Sequence, residues 1–215
     1  MTNTEILTHI DHTLLKADAK WDDIAQICEE ALQYHTASVC IPSFWVQKVK
    51  KTYPELRVCT VIGFPLGYQT ESVKILEAAD AIAAGANEID MVINISALKN
   101  GDDAAVLHEI KEIRRVCENQ ILKVIIETCY LTEDEKIRCC EMVTEAKADY
   151  IKTSTGFGSA GAQLEDIALF RAHIGGDVKI KAAGGIRTRE QMEAFLDAGC
   201  DRIGCSAARI LFENA

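Results

Sequence analysis

Two lysines, Lys152 and Lys181, stand where short apolar strands run into loops of small residues: Tyr150-Ile151-Lys152-Thr153-Ser154-Thr155-Gly156 and Lys179-Ile180-Lys181-Ala182-Ala183-Gly184-Gly185. A buried ammonium loses its hydration and is costly unless something polar faces it. Two of them aimed at one place repel and lower each other's pKa, which is a direct route to a neutral, nucleophilic amine near pH 7. The chemistry this points to is attack of an amine on a carbonyl. Taken singly, each lysine has a plainer reading as an edge or snorkelling residue.

The elements that must position these lysines alternate along the whole chain. Strands are expected at His9–Thr13, Ser38–Ile41, Arg57–Gly63, Glu88–Asn94, Leu122–Thr128, Tyr150–Thr153, Val178–Ala183 and Arg202–Gly204. Helical periodicity fills the gaps at Trp21–His35, Phe44–Thr52, Thr70–Ala84, Ala104–Glu118, Glu133–Ala146, Leu164–His173 and Arg189–Ala198, with a last short helix from Ser206 to Phe212. Thr132 and Thr188 begin capping boxes, and Gly85 and Gly199 sit where left-handed helix ends are expected. Eight such repeats favour a closed parallel (β/α)8 TIM barrel over an open sheet. The 215 residues leave little room for a second domain, so one domain spanning 1–215 is expected.

Composition narrows the function. With 48% hydrophobic and 26% charged residues the chain reads as a soluble globular protein, and no apolar run is long enough to cross a bilayer. The start lacks the basic and apolar stretches of a signal peptide, so a cytoplasmic location is expected. The nine cysteines form no paired framework and read mostly as small core residues, Cys40 and Cys59 among them. A net charge of −10 argues against nucleic acid as partner, while one local electropositive pocket would still accept a phosphorylated metabolite. The five histidines show no ligand spacing, and no metal is expected.

Strand alternation shows which polar residues share a face. Lys152 pairs with Ser154, Lys181 with Ala183, Asp90 with Val92 and Asn94, Lys123 with Ile125, and Asp11 with Thr13. If these faces line the interior, one barrel holds Asp11, Asp90, Lys123, Lys152 and Lys181. A balanced buried charge network is the plain alternative, but it does not account for both lysines preceding glycine loops at the strand ends. The same parity turns Lys179 inward as well, at the bottom opening or on a bulge. The Gly184-Gly185 loop after strand seven and Ser206 after strand eight, each leading to a helix start, lie where this fold binds phosphate; Gly156 adds a third amide.

These residues resemble a known family. Ile151-Lys152-Thr153-Ser154-Thr155-Gly156-Phe157, Lys181-Ala182-Ala183-Gly184-Gly185-Ile186-Arg187 and Glu88-Ile89-Asp90-Met91-Val92-Ile93-Asn94 closely resemble the signature segments of the deoxyribose-phosphate aldolases, as do segments around Asp11, Cys40 and Gly63. The resemblance implies a class I, metal-free aldolase with no cofactor, in deoxyribonucleoside catabolism. Its substrates would be a small phosphorylated sugar and aldehydes: 2-deoxy-D-ribose 5-phosphate, cleaved reversibly to acetaldehyde and D-glyceraldehyde 3-phosphate. Lys152 resembles the Schiff-base lysine, Lys181 the lysine that keeps it neutral, and Asp90 the acid of a proton relay. Asp11, Lys123, Thr155 and Cys40 resemble supporting residues; Gly156, Gly184, Gly185 and Ser206 resemble the phosphate site. A homodimer or higher homo-oligomer is implied by the family alone.

Two departures stand out. Ser206 is followed by Ala207 and Ala208 where many members carry two hydroxyl residues, and the chain reaches Ala215 without the longer tyrosine-ended tail of some members. Two other functions compete: a sugar-phosphate isomerase or epimerase, which gives no reason for paired lysines, and a non-catalytic barrel that binds a phosphorylated metabolite or a protein.

Overall fold

The computed structural model describes residues 1–214, with side chains through Phe212; Ala215 lies outside the described residues. Eight parallel strands close in sequence order into a barrel: β1 Ile10–Thr13, β2 Ser38–Cys40, β3 Val58–Ile62, β4 Glu88–Val92, β5 Ile121–Ile125, β6 Tyr150–Lys152, β7 Lys179–Ala183 and β8 Arg202–Cys205. Closure comes from β8 pairing with β1, with Gly204 beside Asp11. The outer ring holds α1 Asn3–Leu7, α2 Trp21–Gln33, α3 Ser43–Thr52, α4 Glu71–Ala83, α5 Ile95–Lys99, α6 Asp103–Val116, α7 Glu133–Glu145, α8 Leu164–His173 and α9 Arg189–Asp197. Among the described residues, no helix is long and apolar enough to cross a membrane.

The core lies between strands and helices. On α6, Val106, Ile110 and Ile113 recur at helical spacing and are buried; on β5, Leu122 and Val124 face them from the sheet's outer side. Each such side chain contributes about 1.5–3 kcal/mol relative to leaving it in water. The expected capping boxes form at Thr132 and Thr188, and Gly85 and Gly199 take positive φ after their helices.

Two expectations about elements are corrected. The strand expected over Leu122–Thr128 ends at Ile125, because Glu127 adopts a left-handed conformation (φ 53°) and Thr128–Tyr130 turn into a 3-10 helix. The last helix, expected over Ser206–Phe212, is instead a 3-10 segment at Ala208–Asn214. The short helices α1 and α5 have too few residues to show a period; their only advance signals are caps, Thr2 with Glu5 on α1 and the Asn94 side chain accepting from the Ala97 amide on α5.

Candidate active site

The barrel's interior is a charge cluster where bulky apolar side chains would be the rule. Asp11, Asp90, Lys123, Lys152 and Lys181, expected on inward faces, all lie there, joined by Glu88 and Arg202. Strand register brings them level: Asp90 beside Lys123, Lys152 beside Lys181, and Lys181 beside Arg202. The ends of β6 and β7 are pinned together by Thr153, whose Oγ1 accepts from the Ala183 amide and donates to its carbonyl, each at 3.1 Å.

Asp90 is the hub. Its Oδ2 accepts from Lys152 Nζ and from Lys181 Nζ, both at 2.7 Å, so the two lysines share one oxygen. Its Oδ1 accepts from Lys123 Nζ at 2.9 Å and from the Cys59 thiol at 3.2 Å. Lys181 also donates to Asp11 Oδ2. Asp11 Oδ1 accepts from Arg202 and from Ser38 Oγ, and Lys123 reaches Glu88 Oε2 at 2.5 Å.

Burial alone would push the Asp90 carboxyl up, but Lys123, Lys152 and Lys181 outweigh it and hold the group well below the usual carboxylate range. Asp11 is lowered in the same way, against burial, by Lys181, Lys123 and Arg202. Lys181 corrects the expectation of mutual lowering. Burial and Lys123 do depress it, yet Asp11 and Asp90 prevail and raise it above the ordinary lysine value, so it is a fixed cation. Lys123 is raised for the same reason. Three buried carboxylates (Asp11, Glu88, Asp90) thus face four basic groups (Lys123, Lys152, Lys181, Arg202), and Lys152 lies at the open end of the set.

That open end is a cavity of about 230 Å³ at the C-terminal mouth of the barrel, lined by Lys152, Thr155, Gly156, Gly184, Gly185 and Ser206 among others. It brings the expected phosphate residues onto the same space as the lysine. Gly156, Gly184 and Gly185 all have positive φ, at 87°, 87° and 77°. Glycine is also required where the two loops touch: a Cβ at Gly161 would lie 2.1 Å from the Gly184 carbonyl oxygen, to which Ala162 donates. Among the described residues, the amides of Gly156, Gly185 and Ser206 donate to no protein acceptor.

The donors at this end differ from expectation in one respect. The α9 terminus is closed by its own capping box, Thr188 with Gln191, and the segment after β8 is 3-10, so loop amides face the cavity in place of α-helix termini. The Ala207 amide is already taken by Cys205 Sγ at 3.1 Å, which leaves Ser206 to supply both hydroxyl and amide after β8. The cations at the mouth are Lys16 and Arg187.

Cys40 and Thr155 sit at the edges of this arrangement. Cys40 is buried beside Cys59 on the neighbouring strand, and its thiol is lowered by Cys59 and, against burial, by Lys181. Thr155 lines the cavity and bonds Glu127. Lys179 is exposed at the barrel's other end, its ammonium 5.9 Å from the Tyr150 ring.

For a metal, the described residues offer Cys40, Cys59 and Asp90, or Asp11, Cys59 and Glu88, with ligand atoms within 4.8 Å of one another. Every carboxylate oxygen in these sets already accepts from a lysine or arginine, so positive charge at that spot is supplied by side chains.

Glu88, Arg202, Cys59 and Glu127 were not anticipated. The first two carry a legible signal, since Glu88 shares the parity of Asp90 and Arg202 that of Gly204. Cys59 looks like any small core residue. Glu127 depends on a left-handed turn that no local pattern marks.

Known aldolases are similar to this chain over nearly its full length. A family model described as DeoC/LacD family aldolase matches residues 6–208. The deoxyribose-phosphate aldolase of Clostridium botulinum (strain Alaska E43 / Type E3) is 59% identical over 209 residues, covering 97% of this chain and 95% of that protein. A solved structure described as QR15, an aldolase, superposes with a TM-score of 0.92 at 39% identity, over 95% of this chain and 92% of that one. A deoxyribose phosphate aldolase from Aeropyrum pernix, described as having a unique tetrameric structure, gives a TM-score of 0.92 at 28% identity, over 99% of this chain and 91% of that one.

Proposed function

The chain belongs to the DeoC/LacD family of aldolases, and on that premise we propose that it reversibly cleaves 2-deoxy-D-ribose 5-phosphate with Lys152 as the Schiff-base nucleophile. The observation that carries this reading is the shared oxygen. Lys152 ends at a cavity edged by free glycine amides, and Asp90 Oδ2, which it touches, also holds the fixed cation of Lys181.

The free amine of Lys152 attacks C1 of the open-chain sugar, and loss of water from the carbinolamine leaves a protonated imine. The C3 hydroxyl gives up its proton, the C2–C3 bond breaks, and its electron pair flows into the imine to give an enamine. D-Glyceraldehyde 3-phosphate departs. Protonation of the enamine carbon and hydrolysis then release acetaldehyde and restore the amine. Asp90, bonded to Lys152 and Lys181 alike, is the shuttle through which protons reach and leave the reacting atoms. Lys181 keeps a permanent positive charge on the oxygen of Asp90 that Lys152 also touches. The amides of Gly156, Gly185 and Ser206 bind the phosphate, with Gly184 allowing the backbone to approach.

An isomerase would have no use for the lysine pair. The relative described as tetrameric supports a homo-oligomeric assembly here, which sedimentation would read directly, and a cytoplasmic location goes with this substrate. The decisive experiment is to incubate the protein with acetaldehyde, add borohydride and map the adduct by peptide mass spectrometry. Reduction should trap an ethyl group on Lys152, absent in Lys152→Leu. Absence of an adduct, under conditions that trap a known aldolase, would sink the proposal.

A further inference from the structure

Glu127 is an acid with no cation partner among the described residues, and none of the chemistry above uses it. It is 1% exposed, holds a left-handed conformation that costs a non-glycine residue energy, and gives its carboxylate to Thr155, with the Cys129 thiol 4.0 Å from Oε1. The Thr155 amide donates to Oε1 at 3.2 Å and to Oε2 at 3.3 Å, and the Thr155 hydroxyl donates to Oε2. The loop beyond closes over it: a Cβ at Gly158 would lie 3.2 Å from Glu127 Cδ.

The hydroxyl of Thr155 is therefore fixed in polarity. The Phe157 amide donates to Oγ1 at 3.0 Å, and an N–H can only donate. A carboxylate can only accept, so the hydroxyl proton belongs to Glu127. What remains for the cavity, which Thr155 lines, is a single lone pair. We infer that Glu127 is a positioning residue that makes Thr155 an obligate hydrogen-bond acceptor, selecting a substrate that presents a hydroxyl donor there.

This rests on the aldolase reading, which locates that hydroxyl. Thr155 stands in the chain between Lys152 and Gly156 and lines the same cavity as both, so with C1 on Lys152 and the phosphate on the amides of Gly156 and Gly185 the hydroxyl we assign to it is the one on the carbon next to the phosphate-bearing one. In the synthetic direction that group is the 2-hydroxyl of D-glyceraldehyde 3-phosphate. Glu127 thus acts on specificity for the acceptor aldehyde, not on formation of the enamine.

The test compares kcat/KM for addition of acetaldehyde to three phosphorylated aldehydes: D-glyceraldehyde 3-phosphate, its 2-deoxy analogue and its 2-fluoro analogue, which can accept but not donate. The wild type should prefer the hydroxyl substrate about tenfold, as one hydrogen bond allows, and treat fluorine no better than hydrogen. Glu127→Met, which frees the hydroxyl proton, should reduce that preference to about twofold and raise the fluoro analogue above the deoxy one. Its rate with the 2-deoxy aldehyde should stay within about threefold of wild type. A wild type that favours fluorine over hydrogen overturns the inference even if the variant does not fold. So does a Glu127→Met enzyme that keeps the full preference, or one that loses rate equally on all three aldehydes. Borohydride trapping on Lys152 needs no acceptor aldehyde, so it reports the underlying reaction separately.

Discussion

Charge is buried on both sides of the barrel wall, with opposite results. Inside, Asp90 meets three ammonium groups and Lys181 meets two carboxylates; Coulomb attraction overcomes burial, and both groups are held in their ionised forms. Outside, between the barrel and its helices, Lys74 of α4 and Glu109 of α6 form a buried pair at 2.8 Å. There burial prevails: the lysine is lowered despite Glu109, and the acid is raised despite Lys74. One counter-charge does not repay desolvation, whereas several do. The outer pair serves as a clamp. Lys74 donates to the Val92 carbonyl at 2.8 Å and Glu109 accepts from the Asn94 amide at 3.2 Å, which fixes the end of the strand that carries Asp90. Only the inner cluster has a surplus basic group and an open cavity, and only there can an amine react.

The sharpest way to break this contrast is to take a fixed cation out of the inner cluster. Lys181→Leu should cut kcat/KM by roughly 10²–10³-fold, the range for loss of one electrostatic donor at a reacting centre, and move the rate maximum to higher pH. A pH–rate profile that keeps its wild-type position would refute the electrostatic role of Lys181. At the clamp, Lys74→Met alone should cost about 3 kcal/mol in urea unfolding, because Glu109 is left buried without its partner, and the double variant Lys74→Met/Glu109→Leu should recover more than half of that. A double variant less stable than the single one would show that the outer pair is held by attraction after all.

The smallest effect is the acid limb of stability. Asp11 and Asp90 have folded values below their unfolded ones, so their contribution is complete above about pH 4 and is lost as pH falls from there towards the folded values. Urea midpoints should decline steadily between pH 4 and 2. A midpoint that stays flat across that window would mean the inner carboxylates are not held ionised.

Much of this was readable in the chain, and the failures have causes. Period-two alternation turned Asp11, Asp90, Lys123, Lys152 and Lys181 inward, because a strand's facing is a local property. The same rule, carried to the strand ends, would have found Glu88 and Arg202. Lys74 and Glu109 lie on helices whose charges read as solvated, and nothing local says that two such helices will meet over a strand end. Phosphate donors were placed at helix starts, but Thr188 and Gln191 satisfy the α9 terminus themselves.

By itself the sequence determined eight repeats, the inward faces of the strands, and the glycines that let loops after β6 and β7 approach each other. Only closure of the barrel decided which charges meet. Arg202 bonds Asp11 across 191 residues because β8 closes against β1, and Lys181 reaches the oxygen of Asp90 across 91. Local patterning fixes where a side chain points; what it points at is set by packing between segments far apart in the chain, and so is its protonation state.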